Sequence, residues 1–384
     1  AAYAGRGKSS VVLHELAHGY HDRVLGFDDA RILAAYKKAV AGKAYRRGDW
    51  ARSDHKEFFC AVTQRYFGRK AERDRLQKED PAIVKILRQI WGEPKSYPDD
   101  PPAKELEVTE VPKALRDSLG LDAFYKKHAS ARGLPVLASK KVSDYALLEA
   151  AYLINHMLQD RPRVRNALIG KKLRFVVMGV TEMTTDIPEH SGMKPSKFWD
   201  RRARGLGPSG KCPVVSCGAE NLLRYPGDPY HTESILVHEF AHAVHVGIRS
   251  VDKSFDPKLK ALYQKAMTKG LWKGKYAANN HAEYWAEGVQ SWFDTNRLPD
   301  HDHNHVNTRE ELREYDPDLA ELIAREFRNT QWRYRRPADR KYAGHLAGYD
   351  PKKAPRFAWP PGLNRWYKQY LLKQKAAKKE AAGS

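Results

Sequence analysis

His238 and His242 are four residues apart in the string His-Glu-Phe-Ala-His, and on a helix that spacing turns both imidazoles to one face. Two imidazoles so placed can grip one metal ion, with Glu239 leaning toward water beside it. The string returns as His-Glu-Leu-Ala-His at 14–18. With 16 His among 384 residues, about 0.04 such matches are expected by chance, so a pair of them calls for an explanation. Hydrolytic zinc takes three protein ligands and leaves a position for water. The pattern that continues to a third histidine fails here, because its glycine and histidine positions hold His245 and Ile248. Glu283 is the better third ligand. In the run 280–287, Glu283 and Glu287 lie one helical turn apart, so one carboxylate can bind metal while the next holds a ligand histidine by its other ring nitrogen. The competing reading makes Asn280 and Glu283 a helix-start box and leaves Glu287 solvated.

These residues need elements to position them. The helix carrying 238–242 is expected to start near Thr232, whose hydroxyl would cap it, with Ile235, Leu236, Phe240, Ala241 and Val244 forming its apolar sides. Ahead of it, 144–158 reads as an amphipathic helix and 173–180 as the one good strand. Thr308 and Glu311 form a capping box that opens another helix. The fold class expected is α+β, with helices dominating and a small sheet.

The two strings begin a longer repeat. Residues 54–67 match 280–293, and Asp80-Pro81 matches Asp316-Pro317, with offsets that drift through small insertions. In that register His14, His18 and Glu57 keep the three ligand positions, and Glu15 keeps the position of Glu239. Trp50 stands where the second copy has Tyr276, and Ala61 where it has Glu287. The first copy also lacks the strand-bearing segment, so it is expected to hold zinc at most, without catalysis.

The second copy resembles the gluzincin peptidases related to anthrax toxin lethal factor and the Pro-Pro endopeptidases. The likeness rests on His-Glu-Phe-Ala-His, on Glu-Tyr-Trp-Ala-Glu at 283–287, and on Tyr276 seven residues before Glu283. It implies a zincin-like domain in which His238, His242 and Glu283 hold Zn2+, Glu239 activates water and then protonates the leaving amine, Tyr276 stabilises the oxyanion, and Glu287 supports a ligand histidine. It also implies that an extended peptide lies along an edge strand, for which 173–180 is the candidate. His245 departs from the family pattern and is expected to be a packed or hydrogen-bonded histidine. The histidine-rich run 301–305 is expected to be a polar surface loop rather than a further metal site.

Composition bounds the rest. Hydrophobic residues make up 41% of the chain and charged residues 30%, which suits a wet globular protein, and the three cysteines exclude a disulfide scaffold. Cys60 reads as a buried thiol, whereas Cys212 and Cys217 could close a small loop in an oxidising compartment. Net charge is +21, and the last 45 residues carry 11 Lys/Arg against Asp350 and Glu380. That stretch could bind an anionic surface polymer. Its interleaved aromatics and cations fit an amphipathic helix packed on the body better than a nucleic-acid segment, so nucleic acid is not an expected partner. The expected organisation is a partial, degenerate repeat at 1–93, a Pro/acidic linker at 94–120, a metallopeptidase domain at 121–339 and a basic tail at 340–384. The function expected is a secreted or cell-surface zinc endopeptidase acting on a peptide or protein substrate. The alternative is a catalytically weakened scaffold of the same fold that binds anionic polymer or protein partners.

Overall fold

The computed structural model describes residues 11–42, 45, 49–68, 70–92 and 106–383. Contacts divide the chain into two compact units, 1–99 and 100–384. The proline-rich stretch from 94 to 105, the heart of the expected linker, lies outside the described residues.

In unit 1, α1 (Val11–Tyr20) runs on into a π-helical turn (His21–Leu25), followed by α2 (Ala30–Ala41). A 3-10 turn (Trp50–Arg52) leads to α3 (His55–Tyr66), α4 (Lys70–Glu79) and α5 (Pro81–Trp91). Asp54 starts α3 by accepting from the Lys56 and Glu57 amides, and Asp80 starts α5 by accepting from Ile83 with Pro81 at the first helical position. Ile32, Phe58, Phe59, Val62, Ile83 and Leu87 form the buried core, with the Cys60 thiol fully inside it.

Unit 2 opens with β1 (Val108–Glu110), α6 (Lys113–Leu119), β2 (Lys127–Ala131), β3 (Leu134–Ala138), α7 (Asp144–Met157), α8 (Pro162–Gly170) and β4 (Arg174–Met178). Then come α9 (Ser196–Arg202), β5 (Gly205–Leu206), β6 (Val214–Gly218) and α10 (Ala219–Leu223). The remaining helices are α11 (Ile235–Val251), α12 (Phe255–Thr268), α13 (His281–Trp292), α14 (Arg309–Tyr315), α15 (Pro317–Glu326) and α16 (Leu363–Gly383). The architecture is α+β: one mixed sheet of order β1-β2-β3-β4-β6-β5 among many helices. Residues 134–138, 174–178 and 214–218 are buried throughout, because a large core covers one face of the sheet and a smaller one, around Tyr125, Leu137, Val176 and Ile187, covers the other.

Helices α11 to α15, with a 3-10 turn at Tyr276–Ala278, reproduce the order of α1 to α5 and their 3-10 turn. Even the caps correspond: Asn280 starts α13 as Asp54 starts α3, and Asp316-Pro317 starts α15 as Asp80-Pro81 starts α5.

Several expectations need correction. The strand at 173–180 is β4, paired on both sides with β3 and β6, so it is not an edge; its unbroken burial is the mark of a central strand. The edge beside α11 is β5. Ser234, not Thr232, caps α11 by accepting from the Val237 amide. Residues 106–120, assigned to a linker, form β1 and α6, which Val111, Leu115 and Leu119 hold against the smaller core. The stretch from 340 is not a separate tail. Buried Glu149 accepts from Arg340 and His345, Leu346 and Phe357 are buried, and α16 lies on α9 with Tyr367 and Tyr370 against Phe198. Cys212 and Cys217 are both free; they belong to opposite faces of the sheet. Among the described residues no helix is long and apolar enough to cross a membrane.

The edge strand is anchored from within. Arg204, fully buried just before β5, donates to both Glu220 oxygens at 2.6 and 3.0 Å and to the Gly179 carbonyl at 3.2 Å. Removing one partner of a buried ion pair strands the other charge, a loss of about 3–5 kcal/mol. Arg204→Met should therefore lower unfolding free energy in urea by about that amount, far more than Lys113→Met at the exposed Lys113–Asp117 pair, where about 0–1 kcal/mol is expected.

Candidate metal centre

Helix α11 presents His238 and His242 on one face, their rings 5.1 Å apart, and α13 crosses it to bring Glu283 opposite them. Glu283 Oε2 is 3.2 Å from His238 Nε2 and 3.4 Å from His242 Nε2. Asn280 caps α13 through its own side chain while the Glu283 carboxylate turns to the histidines, so the helix start and the cluster coexist. Burial and the Glu283 and Glu239 carboxylates act on His238 in opposite directions. Burial disfavours its charged form, but hydrogen bonds to Glu283 and Glu287 win and raise it well above its usual value.

The His238 tautomer follows from its neighbours. Gln290 donates through Nε2 to Glu233 and to the Ser234 carbonyl, which turns its Oε1 toward His238 Nδ1 at 2.8 Å. An oxygen there can only accept, so Nδ1 carries the hydrogen and the Nε2 lone pair faces Glu283. Acceptors face one another across 3.2 Å, an arrangement that requires a proton or a cation between them. Donor atoms around a tetrahedral zinc with bonds of about 2.0–2.3 Å stand about 3.5 Å apart. The three donors present fit that ion in type and in spacing.

Glu287 Oε1 lies 3.4 Å from His238 Nδ1 and its Oε2 lies 3.6 Å from His303 Nε2; His303 in turn bonds Asp300 at 2.9 Å. Burial alone would raise the Glu287 carboxyl, but the two histidines bring it down to about 2. The 301–305 run is therefore more than a surface loop. His303 is buried, its ring is stacked 6.4 Å from that of Tyr276, and the Asp302 carbonyl accepts from the Tyr276 amide at 2.7 Å. Tyr276 has its ring 6.1 Å from that of His238; burial raises its phenol above the usual value, and the charge of Arg202 at the end of α9 acts in the opposite direction. Burial raises the Glu239 carboxyl above its usual range, against the pull of His238 and His242. Strand β5 runs beside these residues: a Cβ on Gly205 would stand 3.1 Å from Glu239 Cγ, and one on Gly207 2.9 Å from His242 Cβ. Arg202 and Gln290 have no counterpart in the sequence-level reading, although Gln290 is one of the positions kept in the repeat, as Gln64.

Unit 1 reproduces the centre. Glu57 lies 3.1 Å from His14 Nε2 and 3.3 Å from His18 Nε2, and the two rings are 4.8 Å apart. The Glu57 Oε2 atom is buried, and its 3.1 Å contact with His14 Nε2 lacks hydrogen-bond geometry. Ala61 does not leave His14 without support, since Gln64 Oε1 lies 3.3 Å from its Nδ1 as Gln290 does for His238. Cys60 offers a donor within 4.8 Å of both histidines. Two things differ. Trp50, in the place of Tyr276, meets His14 edge-on at 5.7 Å with no hydroxyl, and Glu15 is exposed where Glu239 is half-buried under β5.

No family model and no curated protein sequence matches the chain. Among solved structures, that of the Pro-Pro endopeptidase PPEP-2 from Paenibacillus alvei is similar over 50% of this chain and 96% of that one, at 17% identity and a TM-score of 0.34. A likeness of that order fixes neither activity nor substrate.

The charges set a pH window for the chelated protein. Glu287, lowered from an ordinary 4.5 to about 2, contributes stability above pH 4.5 that disappears as pH falls through about 2. His238, raised above an ordinary 6.5, contributes below pH 6.5 and loses that contribution as pH rises through its folded value. The joint contribution of these two groups to thermal unfolding of the metal-free chain should thus be largest between pH 4.5 and 6.5, read as the difference between wild type and Glu287→Gln. Glu287→Gln should flatten the acid side of the wild-type curve.

Proposed function

We propose that unit 2 is a zinc-dependent endopeptidase with His238, His242 and Glu283 as its metal ligands. The observation that carries this reading is the meeting of two imidazole lone pairs and a carboxylate at 3.2 and 3.4 Å beside a half-buried glutamate. Zinc bound there supplies Lewis-acid polarisation of a carbonyl and acidifies water. Glu239, its carboxyl raised by burial, takes the proton from the attacking water and returns it to the leaving amine. Tyr276 donates its phenolic hydrogen to the oxygen that gains charge as the carbonyl becomes tetrahedral, with the positive charge of Arg202 nearby. The open edge of β5 suits an extended peptide paired by its main chain, with Gly205 and Gly207 keeping that edge close to Glu239 and His242.

The first copy, in the same reading, holds metal through His14, His18 and Glu57 and does no chemistry. Its glutamate is exposed, its tyrosine position is Trp50, and unit 1 has no strand among the described residues to align a substrate.

Cleavage of a peptide library by the full chain tests this, with chelator-sensitive activity as the expected result. Glu239→Gln should abolish turnover, and Tyr276→Phe should lower kcat by about 10²–10³ with zinc content unchanged. Glu15→Gln should leave both intact; activity lost in Glu15→Gln and kept in Glu239→Gln would reverse the assignment of the two halves.

A further inference from the structure

His245 lies one turn beyond His242 on α11 and takes no part in the centre described above. Its Nε2 is 2.5 Å from Asp256 Oδ1 on α12, and its ring is 6.0 Å from that of His281 at the start of α13. One donor atom from each of these three residues lies within 4.8 Å of the other two. His245 is buried and wedged against Phe255 and Trp285, whereas Asp256 and His281 are half-exposed. The cluster therefore has one fixed donor, two that can adjust by side-chain rotation, and a face open to water.

We propose that His245, Asp256 and His281 bind a further divalent transition-metal ion of the zinc class, separate from the ion assigned to catalysis. Two imidazoles and one carboxylate are the donors such ions prefer, and the solvent face leaves room for water to complete the coordination. The ion ties the middle of α11 to the first turns of α12 and α13. Arg249 reaches the second oxygen of Asp256, 3.9 Å away, and leaves Oδ1 to the site.

The first half of the chain supplies an internal comparison. His21 and His55 hold the places of His245 and His281, with rings 6.1 Å apart. The carboxylate nearest in role to Asp256 is Asp29, whose charge acts on His21 but which caps α2 and is paired with the Arg31 guanidinium at 2.6 Å. Both ring nitrogens of buried His21 lack a hydrogen-bond partner. With Asp29 engaged by Arg31 and by the first amides of α2, this histidine pair is expected to bind no ion.

The test is zinc stoichiometry by elemental analysis of the full chain after equilibration with zinc and gel filtration. Asp256→Asn and His281→Ala should each hold one ion fewer than wild type. In a His14→Ala/His238→Ala background one ion should remain, and adding His281→Ala should remove it. Circular dichroism in chelator confirms that each variant is folded; both altered side chains are half-exposed, and His281→Ala leaves the His245–Asp256 bond in place. An unchanged ion count in Asp256→Asn and His281→Ala overturns the proposal. The catalytic reading fails on different data: His238→Ala would then leave activity and ion count as in wild type, whatever Asp256→Asn does.

Discussion

Lone pairs that face each other across 3.2 Å repel unless something positive sits between them, and much of unit 2 exists to keep them there. Gln290 turns the His238 ring so that its free nitrogen points at Glu283, and Glu233 and Ser234 in turn hold the Gln290 amide. Helices α11 and α13 are packed tightly enough for the Trp285 indole to donate to the Ala241 carbonyl at 2.9 Å. Glu287, His303 and Asp300 extend the same chain of charge outward to the loop that holds the Tyr276 backbone. A local repulsion is thus maintained by hydrogen bonds drawn from four separate segments.

The two halves separate two requirements that active sites usually combine. Holding the donors needs only crossed helices and a glutamine, and unit 1 does this with Gln64 at 3.3 Å from His14. Aligning a substrate and burying a base needs a sheet edge, and β5 is available only in unit 2 among the described residues. The exposed Glu15 and half-buried Glu239 differ for that reason rather than through any change in the helix that carries them.

What was legible in the sequence depended on distance along the chain. The ligand histidines and the Glu283/Glu287 pair follow a helical period of three to four, so residue spacing alone places them on common faces. The cap at Thr308 was readable for the same reason, whereas the cap at Asn280 entered only as the reading that competed with Glu283 as a ligand, and Asp316 only as a repeated residue. Gln290 was visible as a repeated residue, but its partner is 52 positions away, and nothing in its local pattern assigns it a role. Arg202, distant from Tyr276 along the chain, acts on its phenol only through the placement of α9 ahead of β5. The run 173–180 was recognisable as a strand, yet its neighbours in the sheet are set by crossovers, and its place at the centre was misjudged as an edge.

The contact of Glu149 with Arg340 and His345 bears on how the chain can be shortened. Glu149 is fully buried in α7, and both of its hydrogen-bond partners arrive from a segment that composition marks as disposable. Truncation before Arg340 would leave a naked carboxylate inside the largest core, along with the empty places of Leu346 and Phe357. A cut between Phe357 and Leu363 spares those places but still removes buried Leu363 and the Tyr367 and Tyr370 rings that lie against Phe198. Charge is therefore a poor guide to which part of this chain the fold can spare.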